Sequence, residues 1–515
     1  MSTPHTLATD AAAAAFDSGG NAIDAAVRAA TTLAVVYPHM CGVGGDLFAL
    51  VRKPSGEVVA LNASGRAPTG ADPAAAALAG DGAMPLYGPH TVTVPGAVSG
   101  WAALHGLGAT LPWPTAFTES VALARDGFPV PSSLARTLVD DDARLAADPG
   151  VRSIFFDPQG SPRRAHDVVG QPALSQTLQA LADQGPSAWY GGTVGARYAQ
   201  GLAALGVPIT TADLAAHTAD LGQPLRGRYR DLDLFVHPPN SPGFVLLEIL
   251  ALVERMGLHP DPLGPDAGLI AGVFQAASDD RDRHLADADH MRIDVEALLG
   301  TDHLTALAGS VSPSRQETAP YPRQGTGDTI ALVTADHEGR AVSLIQSLFD
   351  GFGAGILEPT TGVVAHNRGA CFTVDPDHPN SLEPGKRPAH TLTPVLVQRD
   401  GRLAGVAGTM GGLAQPQINT MTLLRAFDLR RHPAEAVAEP RWVVQRTQDP
   451  SGAGTVLAEA GVSRSVVSTL RNAGYRVETV ESDGHDVGHA HLIVCEDGTL
   501  RAGCDPRSDG GARGA

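Results

Sequence analysis

The chain reads as a layered α+β domain of αββα type. Two observations predict this. Helical patterns fill most of residues 100–300, and strand patterns come in two blocks, one near 47–61 and one from 329 to 412. The second block opens with a hairpin, 329–334 and 341–347, around the turn Asp336-His-Glu-Gly339, which signals antiparallel pairing. Hydrophobic residues make up 43% of the 515 positions and charged residues 18%, enough to bury a substantial core.

Residues 11–36 predict helix with a break at Gly19-Gly20-Asn21, where Asn21 is placed to cap the Ala-rich run that follows. That run is apolar on nearly all sides, so the helix should be buried against a sheet. Cys41-Gly-Val-Gly-Gly-Asp46 then leads into strands 47–51 and 57–61. Its glycines follow a helix and precede a strand, the reverse of a dinucleotide fingerprint, so a tight turn is the better reading. Further helices are predicted at 113–126, 173–184, 193–205, 243–256 and 267–285, with a strand at 231–237. The turn Pro238-Pro-Asn-Ser-Pro-Gly243 reads as a strand-to-helix connection, with an anion site at the helix start as the alternative. The alternating acids and bases of Asp279-Asp-Arg-Asp-Arg-His284 suggest a solvated helix face with internal ion pairs rather than a metal cluster. Residues 309–324 read as a mobile loop, 394–398 and 403–412 as strands, and 417–427 as a helix.

A net charge of −18 disfavours nonspecific binding to nucleic acid or anionic membrane. Four scattered cysteines form no Cys-x-x-Cys pair, which argues against a disulfide framework or a zinc site. The first residues carry neither a basic nor an apolar targeting region, and no run of 18 apolar residues occurs. A cytoplasmic protein without metal or cofactor is the expectation.

The segment 324–336, Gln-Gly-Thr-Gly-Asp-Thr-Ile-Ala-Leu-Val-Thr-Ala-Asp, passes from a polar glycine-bearing stretch into a strand that starts at Thr329. Were the bond after Asp328 broken, Thr329 would carry a hydroxyl and a free α-amine on one residue. Such an amine, with a reference pKa of about 7.7–8.0, can serve as the base that a weak hydroxyl nucleophile needs. Gly411-Gly412 can present bare N–H groups to the oxyanion of acyl transfer.

Ordered motifs along nearly the whole chain resemble the γ-glutamyltransferase family of N-terminal-nucleophile hydrolases. They are Gly19-Gly-Asn-Ala-Ile-Asp-Ala-Ala26, Pro38-His-Met-Cys-Gly-Val-Gly-Gly45, Val94-Pro-Gly-Ala-Val98, Ala124-Arg-Asp-Gly-Phe128 and Pro238 to Gly243. Glu383-Pro-Gly-Lys-Arg-Pro388, Gly408-Thr-Met-Gly-Gly412 and Asp505-Pro-Arg507 complete the set. The resemblance implies a four-layer αββα sandwich made from one precursor that cleaves itself between Asp328 and Thr329. Residues 1–328 would form a large segment and 329–515 a small one, the two remaining associated. It also implies Thr329 as nucleophile, Ser347 as a supporting hydroxyl, and Gly411 and Gly412 as the oxyanion pair.

The recognition positions depart from the family pattern. Glutathione-cleaving members hold the glutamyl carboxylate with an arginine shortly before an Ala-Pro pair; here that position is Ser64, with Arg66 two residues on. An asparagine two residues after the second hydroxyl becomes Phe349. The groups that receive the α-amine become Arg368 and Cys371, and paired serines become His390 and Thr391. The resemblance implies acyl transfer from a γ-glutamyl amide of glutathione type to water or an amine. The altered positions suggest instead an acylase or acyl-bond hydrolase, C–C bonds included, for a dicarboxylate-type group. The reading furthest from both is an unprocessed, inactive binding protein.

Overall fold

The computed structural model describes residues 1–311, 328–445, 454–482 and 485–514. The predicted loop at 309–324 lies outside these from residue 312 onward; its first two residues end the helix Thr301–Ser310.

Two antiparallel sheets stack face to face. The first has seven strands in the order Gly511–Ala512, Ser2–Thr3, Ile330–Ala335, Ala341–Ser347, Asp46–Arg52, Val58–Ala63 and Asp220–Gly222. The second has six: Thr499–Cys504, Ala490–Glu496, Arg402–Thr409, Val395–Arg399, Leu232–Val236 and Leu225–Tyr229. Successive side chains on a strand face opposite ways, and here each way meets a different core. On Asp46–Arg52, Leu47, Ala49 and Val51 join the helices that cover the first sheet, while Phe48 and Leu50 point between the sheets. Ile330 and Leu332 divide from Ala331 and Val333 in the same manner. Strands buried on both faces read as continuous apolar runs.

The helices Thr6–Asp17 and Ala22–Val36 lie on the outer face of the first sheet. Asn21 caps the second of these, accepting from the N–H groups of Ile23 and Asp24 while Asp24 reaches back to the Asn21 N–H. All fifteen residues of that helix are buried, as its uniform apolarity predicts. On the far face of the second sheet, Gly243–Arg255 and Ala267–His284 share a core with the strands beneath them. The layers therefore run α, β, β, α. A small third sheet, Trp442–Gln445, Thr455–Glu459 and Arg476–Val480, attaches to this outer helical layer.

The glycine cluster is the tight turn expected. A side chain at Gly45 would lie 2.4 Å from the Ser347 carbonyl oxygen, so only glycine lets these backbones approach. Residues 279–284 differ from expectation. Asp280, Arg281 and Asp282 are 1–3% exposed, because Gly243–Arg255 and Thr301–Ser310 pack over the face that the charge pattern assigned to solvent. The Asp505-Pro-Arg507 motif is also internal. Arg507 pairs with Glu459 at 2.6 Å and Asp505 at 2.9 Å, and donates to the Val437 carbonyl at 3.1 Å, tying the third sheet to the helix Pro433–Ala438.

Burial holds five histidines in their neutral form: His5, His217, His237 and His491 are pushed down to about 4, and His390 to about 3. The unfolded chain takes up these protons near pH 6.5 and the folded chain does not. Their contribution is therefore complete above about pH 6.5 and falls as pH drops toward 4, by up to about 1.4 kcal/mol per pH unit for each group. Urea unfolding should show a clearly lower midpoint at pH 5.0 than at pH 7.5. Equal midpoints would contradict the neutral burial of these rings.

Candidate active site

The strand registers place four predicted or newly apparent site residues in one row. Gln346 pairs with Ile330, so the next step along sets Ser347 opposite Thr329. Ser347 pairs on its other side with Asp46, and Leu47 with Ala63, which sets Asp46 opposite Ser64. All four share the parity of Phe48, Ala331 and Ile345, the residues that point between the sheets. A row of Thr329, Ser347, Asp46 and Ser64 thus closes one end of the inter-sheet space.

Thr329 and Ser347 are 2% and 1% exposed, and their hydroxyl oxygens lie 2.9 Å apart. Ser347 Oγ donates to the Asp328 carbonyl oxygen at 3.0 Å, the carbonyl of the bond that joins Asp328 to Thr329. It accepts the Phe349 N–H at 2.8 Å, and Arg368 Nη2 approaches it at 3.4 Å. With its single proton on Asp328, Ser347 is set to accept from the Thr329 hydroxyl. This chain of hydrogen bonds can carry a proton from Thr329 Oγ1 toward the Asp328 carbonyl. Phe349 is held at φ +83°, a conformation costly for a bulky side chain and of the kind that persists where surrounding structure enforces it.

Arg368, 1% exposed, stacks its guanidinium 4.4 Å from the centre of the Phe349 ring. Nη1 donates to Thr391 Oγ1 at 3.2 Å and approaches Cys371 Sγ at 3.6 Å, while Nε has no hydrogen-bond partner. Among the described residues no carboxylate forms an ion pair with this cation. Burial pushes the Cys371 thiol up, so it stays protonated beside Arg368.

Asp46 interacts with the Arg368 charge, and its carboxylate is already engaged. Its carboxylate accepts the Gly65 N–H at 3.0 Å and His390 Nε2 at 3.2 Å, with His366 Nδ1 at 3.6 Å. Burial alone would raise its pKa, but His366, His390 and Arg368 together hold it below the usual carboxylate value. Burial and the Arg368 cation keep His390 neutral. Its Nδ1 accepts the Thr391 N–H at 3.1 Å, so the proton sits on Nε2 and points at Asp46. Asp46 and His366 carry no mark in the sequence alone; Asp46 is placed by the register of the first sheet, and His366 reaches it from the segment after Val363–Ala365.

Gly411 and Gly412 have φ of +133° and +54°. The Ala407 carbonyl accepts from Ser343 Oγ at 2.7 Å, and a side chain on Gly408 would meet Ala331 and Ser343 at 3.3 Å. These contacts carry the chain across the inter-sheet space toward the end where Thr329 and Ser347 lie. Ser64 is fully buried, bound through Oγ to Asn62 at 2.7 Å and receiving Asn240 Nδ2 at 3.2 Å. Arg66 stands apart from the Arg368 cluster. It is 41% exposed and paired with Asp287 at 3.1 Å.

The family model described as gamma-glutamyltranspeptidase matches residues 8–515. The chain is 37% identical to an oxamate amidohydrolase proenzyme of Klebsiella pneumoniae, the alignment covering 99% of this chain and 97% of that one. It is 34% identical to a glutathione hydrolase-like proenzyme of Bacillus subtilis, with the same coverage. Among solved structures it is similar to a cephalosporin acylase from Bacillus halodurans, with a TM-score of 0.89, 31% identity, and coverage of 99% and 94%. These likenesses agree with the αββα layering and with the ordered motifs from Gly19 to Arg507, and the chain belongs to the γ-glutamyltranspeptidase family of enzymes.

Proposed function

We propose that the protein is a self-processing amidohydrolase that uses Thr329 to cleave small amides bearing a carboxylate close to the scissile carbonyl. The observation that carries this reading is Arg368, a buried cation beside the Thr329–Ser347 pair with which no carboxylate among the described residues forms an ion pair. An unpaired buried charge costs several kcal/mol, and an anionic substrate would relieve it. Arg368 Nη2, which approaches Ser347 Oγ, is no farther from Thr329 Oγ1 than two hydrogen bonds laid end to end. With a reacting carbon about 3–3.5 Å from the nucleophile, that span favours a short acyl group over an extended one.

In processing, Thr329 Oγ1 attacks the Asp328 carbonyl carbon, and Ser347 steadies the oxygen. The Asp328–Thr329 C–N bond breaks as an ester forms on Oγ1, and the proton from the hydroxyl ends on the freed α-amine. Water then hydrolyses the ester, leaving the Asp328 carboxylate and an N-terminal Thr329. In turnover the α-amine takes the hydroxyl proton as Oγ1 attacks the substrate amide, and passes it to the departing amine. Gly411 and Gly412 N–H groups would hold the oxyanion. Water releases the acid from the acyl-enzyme; an amine acceptor would instead give transfer.

Substrate choice is tested by comparing oxamate, a glutaryl anilide and a γ-glutamyl anilide. The site offers Arg368 to a carboxylate, whereas Asp46 is already engaged and Cys371 stays protonated, so neither of these suits an ammonium group. The amine-free substrates should show kcat/KM at least tenfold above the γ-glutamyl compound. Faster turnover of the γ-glutamyl anilide would favour glutathione-type chemistry, after which the glutathione hydrolase-like relative of Bacillus subtilis is named.

The oxyanion role has its own test. An alanine at Gly411 would sit at a forbidden φ with its Cβ 2.5 Å from Ile418 Cδ1. Gly411→Ala should lower stability by about 1–3 kcal/mol in urea unfolding and kcat by about a hundredfold. A normal kcat would place the oxyanion elsewhere.

A further inference from the structure

We propose that Glu248, Asp280 and His303 form a binding site for one divalent transition-metal ion in the outer helical layer. Each comes from a different helix: Gly243–Arg255, Ala267–His284 and Thr301–Ser310. One ligand atom from each lies within 4.8 Å of the others. His303 Nε2 is 3.0 Å from Asp280 Oδ2 and 4.0 Å from Glu248 Oε1. Metal bonds of about 2.0–2.2 Å in tetrahedral geometry set neighbouring ligand atoms roughly 3.4 Å apart, within that range.

Glu248 supplies the independent sign. It is the only charged residue in the stretch Gly-Phe-Val-Leu-Leu-Glu-Ile-Leu-Ala-Leu-Val that opens its helix, and its side chain is fully buried. Among the described residues no donor reaches either carboxyl oxygen within hydrogen-bond distance, and the neighbour it meets is the Asp280 carboxyl. A carboxylate placed in an apolar core beside a second carboxylate is strongly disfavoured unless something positive joins them. His303 alone reaches Glu248 only at 4.0 Å. A dication between the three would satisfy both acids and leave the site neutral.

The donor set narrows the ion. Two carboxylates with an imidazole suit zinc, manganese or iron, whereas calcium and magnesium take oxygen ligands. His284 Nε2 lies 3.7 Å from Asp280 Oδ1, at the rim, where it could add a fourth ligand. The site's place in the fold suggests what binding would do. The helix Thr301–Ser310 buries only Leu307, so apolar packing holds it weakly. It is also the last described helix before Thr329 in the chain. A metal bond through His303 would pin it to the two helices beneath.

The test uses the full chain, stripped with chelator and dialysed against Zn2+, Mn2+ or Ca2+. We expect one equivalent of Zn2+ or Mn2+ per chain, with Kd at least tenfold higher in Glu248→Gln and in His303→Ala. Zn2+ should slow amide hydrogen exchange across residues 301–310 at least tenfold in the unaltered protein and leave it unchanged in His303→Ala. His303 is partly exposed, so its substitution keeps the test open if Glu248→Gln fails to fold. Equal affinity in the variants, no bound ion at millimolar Zn2+, or a preference for Ca2+ would each overturn the assignment. The first two outcomes would leave the two acids as a pair that shares a proton.

Discussion

Thr329→Ala should yield one uncleaved polypeptide with no amidase activity, where the unaltered protein should separate into segments 1–328 and 329–515. The argument rests on the contacts around the Asp328 carbonyl. Thr329 Oγ1 lies 2.9 Å from Ser347 Oγ, which in turn donates to that carbonyl at 3.0 Å. Alanine removes the attacking oxygen and leaves every strand contact in place, so folding should survive while chemistry stops. In the proposed mechanism turnover needs the same oxygen and the amine that its attack releases, so one substitution should remove two ingredients. A loss of at least about ten-thousandfold in kcat is expected. Thr329→Ser keeps a hydroxyl without the methyl that fixes its rotamer, and should process slowly and retain measurable activity. Ser347→Ala should slow processing further, because it removes the donor to the Asp328 oxygen. Gel electrophoresis after timed incubation, with N-terminal sequencing of the small segment, reads all three. Cleavage of Thr329→Ala at the same bond would sink the nucleophile assignment.

What could be read from the chain beforehand divides along a physical line. Thr329 and Ser347 sit on strands joined by the short turn at Asp336–Gly339, so their pairing is local and the hairpin alone brings the two hydroxyls together. The helix Ala22–Val36 is legible for a similar reason, since cap and apolarity lie within it. Asp46 was different. Its strand was predicted to begin one residue later, and nothing near it in sequence shows that it neighbours Ser347, some 300 positions on. His366 and His390 converge on it from further separate segments. The charged run at 279–284 misled for the same reason. A helix face looks solvated until the helices that cover it are known, and the covering helices here begin at Gly243 and Thr301. Arg66 shows the converse. It lies two residues from Ser64 in the chain, but its side chain pairs with Asp287.

Arg368→Gln should cost about a hundred- to thousandfold in kcat/KM toward a carboxylate-bearing amide such as oxamate, and less than tenfold toward an uncharged amide of the same size. Charge-assisted hydrogen bonds in a buried site are worth several kcal/mol, and each 1.4 kcal/mol is tenfold in rate or binding. Glutamine keeps a donor to Thr391 and Ser347 but removes the charge. The loss should therefore follow the charge of the substrate rather than the general integrity of the site. Arg368→Lys restores the charge as a point rather than a planar fork and gives up the stacking on Phe349, so it should rescue only part of the activity. If instead Arg368→Gln slowed charged and uncharged amides alike, the residue would act through Ser347, 3.4 Å away, and the choice of substrate would lie with other residues.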